Sequence, residues 1–213
     1  MICELFRPHE MKMLLLIIAF LGLKKSNAQT RHEVEVMKTV ILDNFSQWKD
    51  TLFDKAGKIK KVETPTKRNS IIIKKTTVPN TLQLKASTYH NLKENIFNSL
   101  DSITYKDFLD KRNRVSEIKY LNISETLIKT KYIDTVALDS IFKKGGWKKF
   151  NKLYSLSTDL VEISRVGFNK DKTQALIYYS RSNCGLCGSG YLCLYELING
   201  RWRLVEKYME WIA

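Results

Sequence analysis

The sequence predicts an α+β protein: a C-terminal four-stranded antiparallel meander packed against helices, preceded by a long N-terminal amphipathic helix. Three observations support this. Apolar residues between Val34 and Leu52 recur at spacings of three and four, the period of one helical face. Four β-rich runs follow one another at the C-terminus, over 160–168, 174–181, 191–198 and 201–211. Turn residues separate them, and the last separator, Asn199-Gly200, suits a two-residue type I′ hairpin because both residues tolerate positive φ. Sequential strands with short connections pair antiparallel, and helices must cover their apolar face.

In chain order, residues 14–23 form an unbroken run of ten apolar residues, with Lys12 before it and the polar stretch 24–28 behind it. A membrane-spanning helix needs about 20 apolar residues, so a run this short with a basic flank reads as a secretory signal peptide. Ser26 and Ala28 supply the small residues of a cleavage site, which sets the leader at 1–28, with an over-extended start before Met11. The expected product is exported, periplasmic or extracellular, with no transmembrane segment after the leader is removed. Removing the leader takes four basic and two acidic residues from a formal charge of +14 and leaves +12. Such a chain is attracted weakly to anionic surfaces, while export argues against a specific nucleic-acid partner. The sequence identifies no other partner. The expected organisation is a helical and hairpin region over 29–113 and an α+β region over 114–213, with one continuous domain over 29–213 as the alternative.

The first helix is expected from Glu33 to Phe53, burying Val34, Met37, Val40, Ile41, Phe45, Trp48 and Leu52. Residues 55–68 lack periodicity and hold six basic residues against one acid, which reads as a solvated connector. The β-branched run 71–78, the Pro79-Asn80 pair and the alternating run 82–86 suggest a short hairpin. Leu92, Ile96, Phe97 and Leu100 return to helical spacing, and Thr104 with Asp107 resembles the opening of another short helix. The stretch 136–154 reads as two helices meeting at Gly145-Gly146, the second presenting Trp147, Phe150 and Tyr154 on one side and lysines elsewhere.

The segment Cys184-Gly-Leu-Cys-Gly-Ser-Gly190 draws the chemical question. A thioredoxin-type Cys-x-x-Cys places its first thiol at a helix N-terminus, and here a strand follows instead. A zinc site needs four ligands, and His32 and His90 have no ligand spacing to the three mature cysteines. The leading expectation is a local Cys184–Cys187 disulfide in a hairpin turn whose glycines supply positive φ. Cys193 is the alternative partner for either cysteine, and free thiols, redox exchange or metal work stay open. No cofactor and no metal are expected. Ser164, Ser180 and Ser189 lie outside any Gly-x-Ser-x-Gly elbow, and no histidine follows residue 90. Arg165, Arg181, Glu196 and Trp147 are the candidates for lining a groove between sheet and helices.

The stretch Gly146-Trp-Lys-Lys-Phe150, the run Ser164-Arg-Val-Gly-Phe-Asn169, then Gly188-Ser-Gly-Tyr191 and a closing Trp211 resemble a group of uncharacterised exported proteins of Bacteroidota. The resemblance spans about the last 70 residues. It implies an exported α+β domain from such a source and carries no activity with it. Cysteines are not part of the group's glycine-rich turn, which implies that Cys184 and Cys187 are local additions. The expectation is therefore an exported, non-enzymatic binding or structural module. The alternatives are a periplasmic hydrolase-type enzyme and a thiol redox or metal role for the Cys184/Cys187 turn.

Overall fold

The computed structural model describes residues 29–45, 50–53, 59–63, 70–78, 92–94, 96–111, 113–118, 121, 123 and 129–213. The leader expected over 1–28 and the run 82–86 lie outside them.

Helix α1 (Arg31–Phe45) opens on a reciprocal cap. Thr30 Oγ1 accepts the Glu33 N–H at 3.3 Å, and Glu33 Oε2 accepts the Thr30 N–H at 3.0 Å. The helix ends sooner than its apolar stripe suggests. Asn44 turns its amide back to Val40 O, competing for the last turn, and residues 50–53 form strand β1 (Asp50–Phe53). Strand β1 pairs antiparallel with β2 (Ile59–Glu63), so the expected solvated connector contains a strand.

The main sheet has seven strands: β3 (Ser70–Lys74), β4 (Lys129–Ile133), β5 (Ser157–Ile163), β6 (Gly167–Phe168), β7 (Gln174–Cys184), β8 (Cys187–Ile198) and β9 (Arg201–Ile212). Its order is β4-β3-β5-β7-β8-β9, with β6 beside β7. Strands β5, β7, β8 and β9 are antiparallel neighbours, and the β8–β9 turn has Asn199 and Gly200 at φ 51° and 74°. The sheet is mixed, because β3 lies parallel to both β4 and β5. The β-branched run at 71 is thus an interior strand between two distant partners, and not the first arm of a local hairpin. Its three isoleucines are fully buried on both faces, a pattern that parallel strands produce and hairpins seldom do.

Two further helices cover the sheet. Helix α2 (Ser102–Lys111) begins two residues before Thr104, capped by Asp101, whose carboxylate accepts the Ile103 N–H at 2.6 Å. Helix α3 (Thr135–Leu153) is capped by Asp134 and leaves helical geometry at Gly145 and Gly146, the latter at φ +56°, so two helices meet there as the glycine pair predicts. On one face of the sheet, α1 packs on Ile71, Ile73, Val161, Ile177, Tyr179, Cys193 and Tyr195. On the other, Tyr105 and Phe108 of α2 pack on Leu176, Tyr178, Leu192 and Leu194, and Leu138, Ile141 and Phe150 of α3 pack on Ile72 and Leu160. Among the described residues, no helix is long and apolar enough to cross a membrane.

Candidate functional site

Segment 164–169 sits where α1, α2 and the sheet converge, and its contacts are internal. Ser164 Oγ donates to Arg165 O and accepts the Tyr178 N–H, so its one proton is committed to the backbone. The Arg165 guanidinium forms a two-pronged bond to Glu33, at 2.8 and 3.0 Å, with the two side chains 6% and 0% exposed. The Glu33 carboxylate therefore caps its own helix and neutralises an arginine 132 residues away. Gly167 lies against Phe108 so closely that a Cβ would overlap the phenylalanine backbone. The Phe168 N–H donates to Asp107, whose carboxylate also accepts Lys111 Nζ at 2.6 Å. Asn169 closes the β6–β7 turn by accepting the Thr173 and Gln174 N–H groups.

The other groove candidates stand apart. Arg181 on β7 approaches Asp159 of β5 at 3.5 Å and lies 5.9 Å above the Phe45 ring. Glu196 on β8 accepts Gln174 Nε2 at 3.2 Å and borders a polar depression of about 350 Å³ with Ser99, Asp101, Asn169 and Thr173. Trp147 on α3 is wedged between Phe142 and Phe150, edge to face with both. A second depression, of about 270 Å³, lies across the β6–β7 turn between Asp107, Lys111, Phe168 and Lys172. Each of the four candidates answers a different internal contact. Sequence reasoning missed their partners Glu33, Asp159 and Gln174. Only Glu33 left a readable sign, the Thr30-x-x-Glu33 capping spacing just before an apolar stripe.

Cys184 and Cys187 are bonded to one another and face each other across the two-residue turn Gly185-Leu186. The expected role of the glycines is different from the observed one. Neither Gly185, Gly188 nor Gly190 has positive φ. Gly188 and Gly190 belong to β8, and their bare surface seats the Trp211 indole, which donates to Tyr178 Oη at 2.8 Å. A Cβ on Gly190 would collide with the Trp211 ring nitrogen, and one on Gly188 would lie 3.0 Å from its far edge. The Gly-Ser-Gly spacing is a slot for tryptophan.

Beyond the slot, β8 turns inward. Cys193 is a free thiol, completely buried, and burial pushes its pKa up to about 12. Burial likewise raises the hydroxyls of Tyr179 and Tyr195 beside it. Tyr179 stacks on Tyr191, and Lys207 Nζ lies 4.0 Å from the Tyr191 ring centre. Among the described residues, no three His, Cys, Asp or Glu side chains are grouped so as to hold a metal ion. No family model, curated protein or solved structure matches the chain.

Proposed function

We propose that the protein is an exported binding or structural module that works without catalysis. The observation that carries this reading is the engagement of Arg165. The best-placed charged side chain in the most distinctive segment is closed off by Glu33 in a buried, two-pronged pair. A hydrolase needs a nucleophile, a base within hydrogen-bond reach and donors aimed at developing charge. The Ser164 hydroxyl proton is committed to a backbone carbonyl, and Arg181, Glu196 and Trp147 serve separate contacts. The sulfurs favour a structural role in the same way, since two are joined across their own turn and the third is buried. Export and a source among Bacteroidota belong to this proposal and rest on the leader over 1–28 and the resemblance of the C-terminal segments.

A panel of ester, peptide, glycoside and phosphoester substrates is expected to give no turnover above a heat-denatured control. Turnover that disappears in Glu196→Gln or Arg181→Met would overturn the reading in favour of the hydrolase.

A further inference from the structure

Exposed apolar side chains gather at one end of the sheet. Leu186, at the tip of the β7–β8 turn, is 82% exposed, and Ile212, at the end of β9, is 73% exposed. The two strand ends are adjacent, because Gly188 and Ala213 exchange both backbone hydrogen bonds and Ser189 pairs with Ile212. Trp211 is partly exposed beside them. The antiparallel register of β5 and β7, Leu160 opposite Ser182, brings the start of β5 to the same end. Leu153 and Leu156, each more than half exposed, precede that start.

Helix α3 ties into this end through two contacts. Asn151 Nδ2 donates to Asn183 O at 3.1 Å, and Gly185 lies against the Trp147 ring. Lys148 and Lys152 follow Trp147 and Asn151 by one residue each and are exposed, about one helical turn apart on α3. The segments that build this end, 146–156, 181–190 and 211–213, contain Lys148, Lys149, Lys152 and Arg181, and the acids that border them are the buried Asp159, engaged with Arg181, and Glu210. Contiguous exposed apolar side chains mark an interaction surface. Here they combine with a tryptophan whose indole N–H is already bonded and with a flank on which cations outnumber acids.

We propose that this rim is a docking surface for an anionic lipid bilayer, with Leu186, Ile212 and Trp211 entering the headgroup boundary and Lys148 and Lys152 meeting lipid phosphates. The chemistry is that of peripheral attachment: apolar side chains at the acyl boundary, an indole at the interface and lysines at the negative surface. The disulfide holds the turn that carries Leu186, so the tip is presented without first having to be ordered. This proposal gives the binding module a partner, and it rests on the export reading because an exported chain meets a bilayer.

The test uses the exported chain, purified without reduction, and flotation with vesicles of phosphatidylcholine alone or equimolar phosphatidylcholine and phosphatidylglycerol. The expected result is binding to the anionic vesicles only, weakened by salt. Lys148→Gln and Lys152→Gln each lower the partition coefficient by about fivefold. Leu186→Ser lowers it by about tenfold, with unchanged thermal melting as the control for folding. Lack of binding by the wild type, equal binding to neutral vesicles, or variants that bind as the wild type does would each overturn the proposal. So would a self-association that Leu186→Ser abolishes while vesicles go unbound. Turnover in the substrate panel together with lipid binding would refute only the non-catalytic reading. An inert panel without lipid binding would refute only the rim.

Discussion

Segments 164–169 and 184–190 are the two most distinctive stretches of the chain, and they are built to opposite ends. In the first, Ser164, Arg165, Gly167, Phe168 and Asn169 all serve contacts within the fold. In the second, the disulfide and the tryptophan slot stiffen a hairpin whose tip presents Leu186 to solvent. Unusual residue choice therefore marks a structural constraint in one place and a presented surface in the other. Burial and partners separate the two cases where composition does not.

The ion pair tests this contrast most severely. Glu33→Ala leaves the Arg165 guanidinium buried without a counter-charge and is expected to cost about 3–5 kcal/mol in urea unfolding. Replacing both partners, Glu33→Leu with Arg165→Met, is expected to recover most of that loss. A single-variant cost below about 1 kcal/mol would place segment 164–169 outside the scaffold.

The glycines come next in expected effect. Gly167→Ala drives a methyl into Phe108 and is expected to cost about 1–3 kcal/mol. Gly190→Ala expels the Trp211 indole and breaks its bond to Tyr178, an event that tryptophan fluorescence reads directly. The contrast sharpens if Gly167→Ala lowers stability and leaves vesicle binding intact, while Gly190→Ala also weakens binding by disordering the rim. An unchanged fluorescence spectrum in Gly190→Ala would remove the slot from the account.

The effect that is absent at neutral pH concerns the buried stem below the exposed tip. Burial raises the Cys193 thiol from 9.0 to about 12, so between those values the unfolded chain releases a proton that the folded chain keeps. The unfolded state then binds fewer protons, and stability falls as pH rises through that window. Tyr179 and Tyr195, also raised by burial, act in the same direction at higher pH. Urea midpoints measured from about pH 8 to about pH 11 are expected to decline, and Cys193→Ala should delay the onset toward the tyrosine range. A midpoint independent of pH would contradict a sealed stem.

Legibility followed the same division between local and distant. The antiparallel strands could be read because their turns are local: Asn199-Gly200 and the run from Asn169 to Lys172 announce them. The mixed sheet could not, because β3 meets β4 and β5 through parallel pairings that leave no turn residue between partners. Its neighbouring Pro79-Asn80 pair pointed instead to a hairpin. The candidate residues fared similarly. Arg165 stood out in the sequence, but its role depends on Glu33, which only the folded chain brings near. The Gly-Ser-Gly spacing stood out as well, and its meaning depended on Trp211, which reaches it by way of the next turn.

The bond between Cys184 and Cys187 also works as a counting device. Along β7 and β8, successive residues alternate between two cores: Ile177 and Cys193 face one, and Tyr178 and Leu192 the other. Both sets are apolar, so a slip of one residue would exchange them with little hydrophobic penalty, and burial alone specifies the pairing poorly. Two sulfurs opposed across a two-residue turn fix the count at the tip, and the one-residue irregularity between Ser182 and Cys184 shifts the ladder below them. The clip and that irregularity together set which side chains, about six residues away, each helix meets.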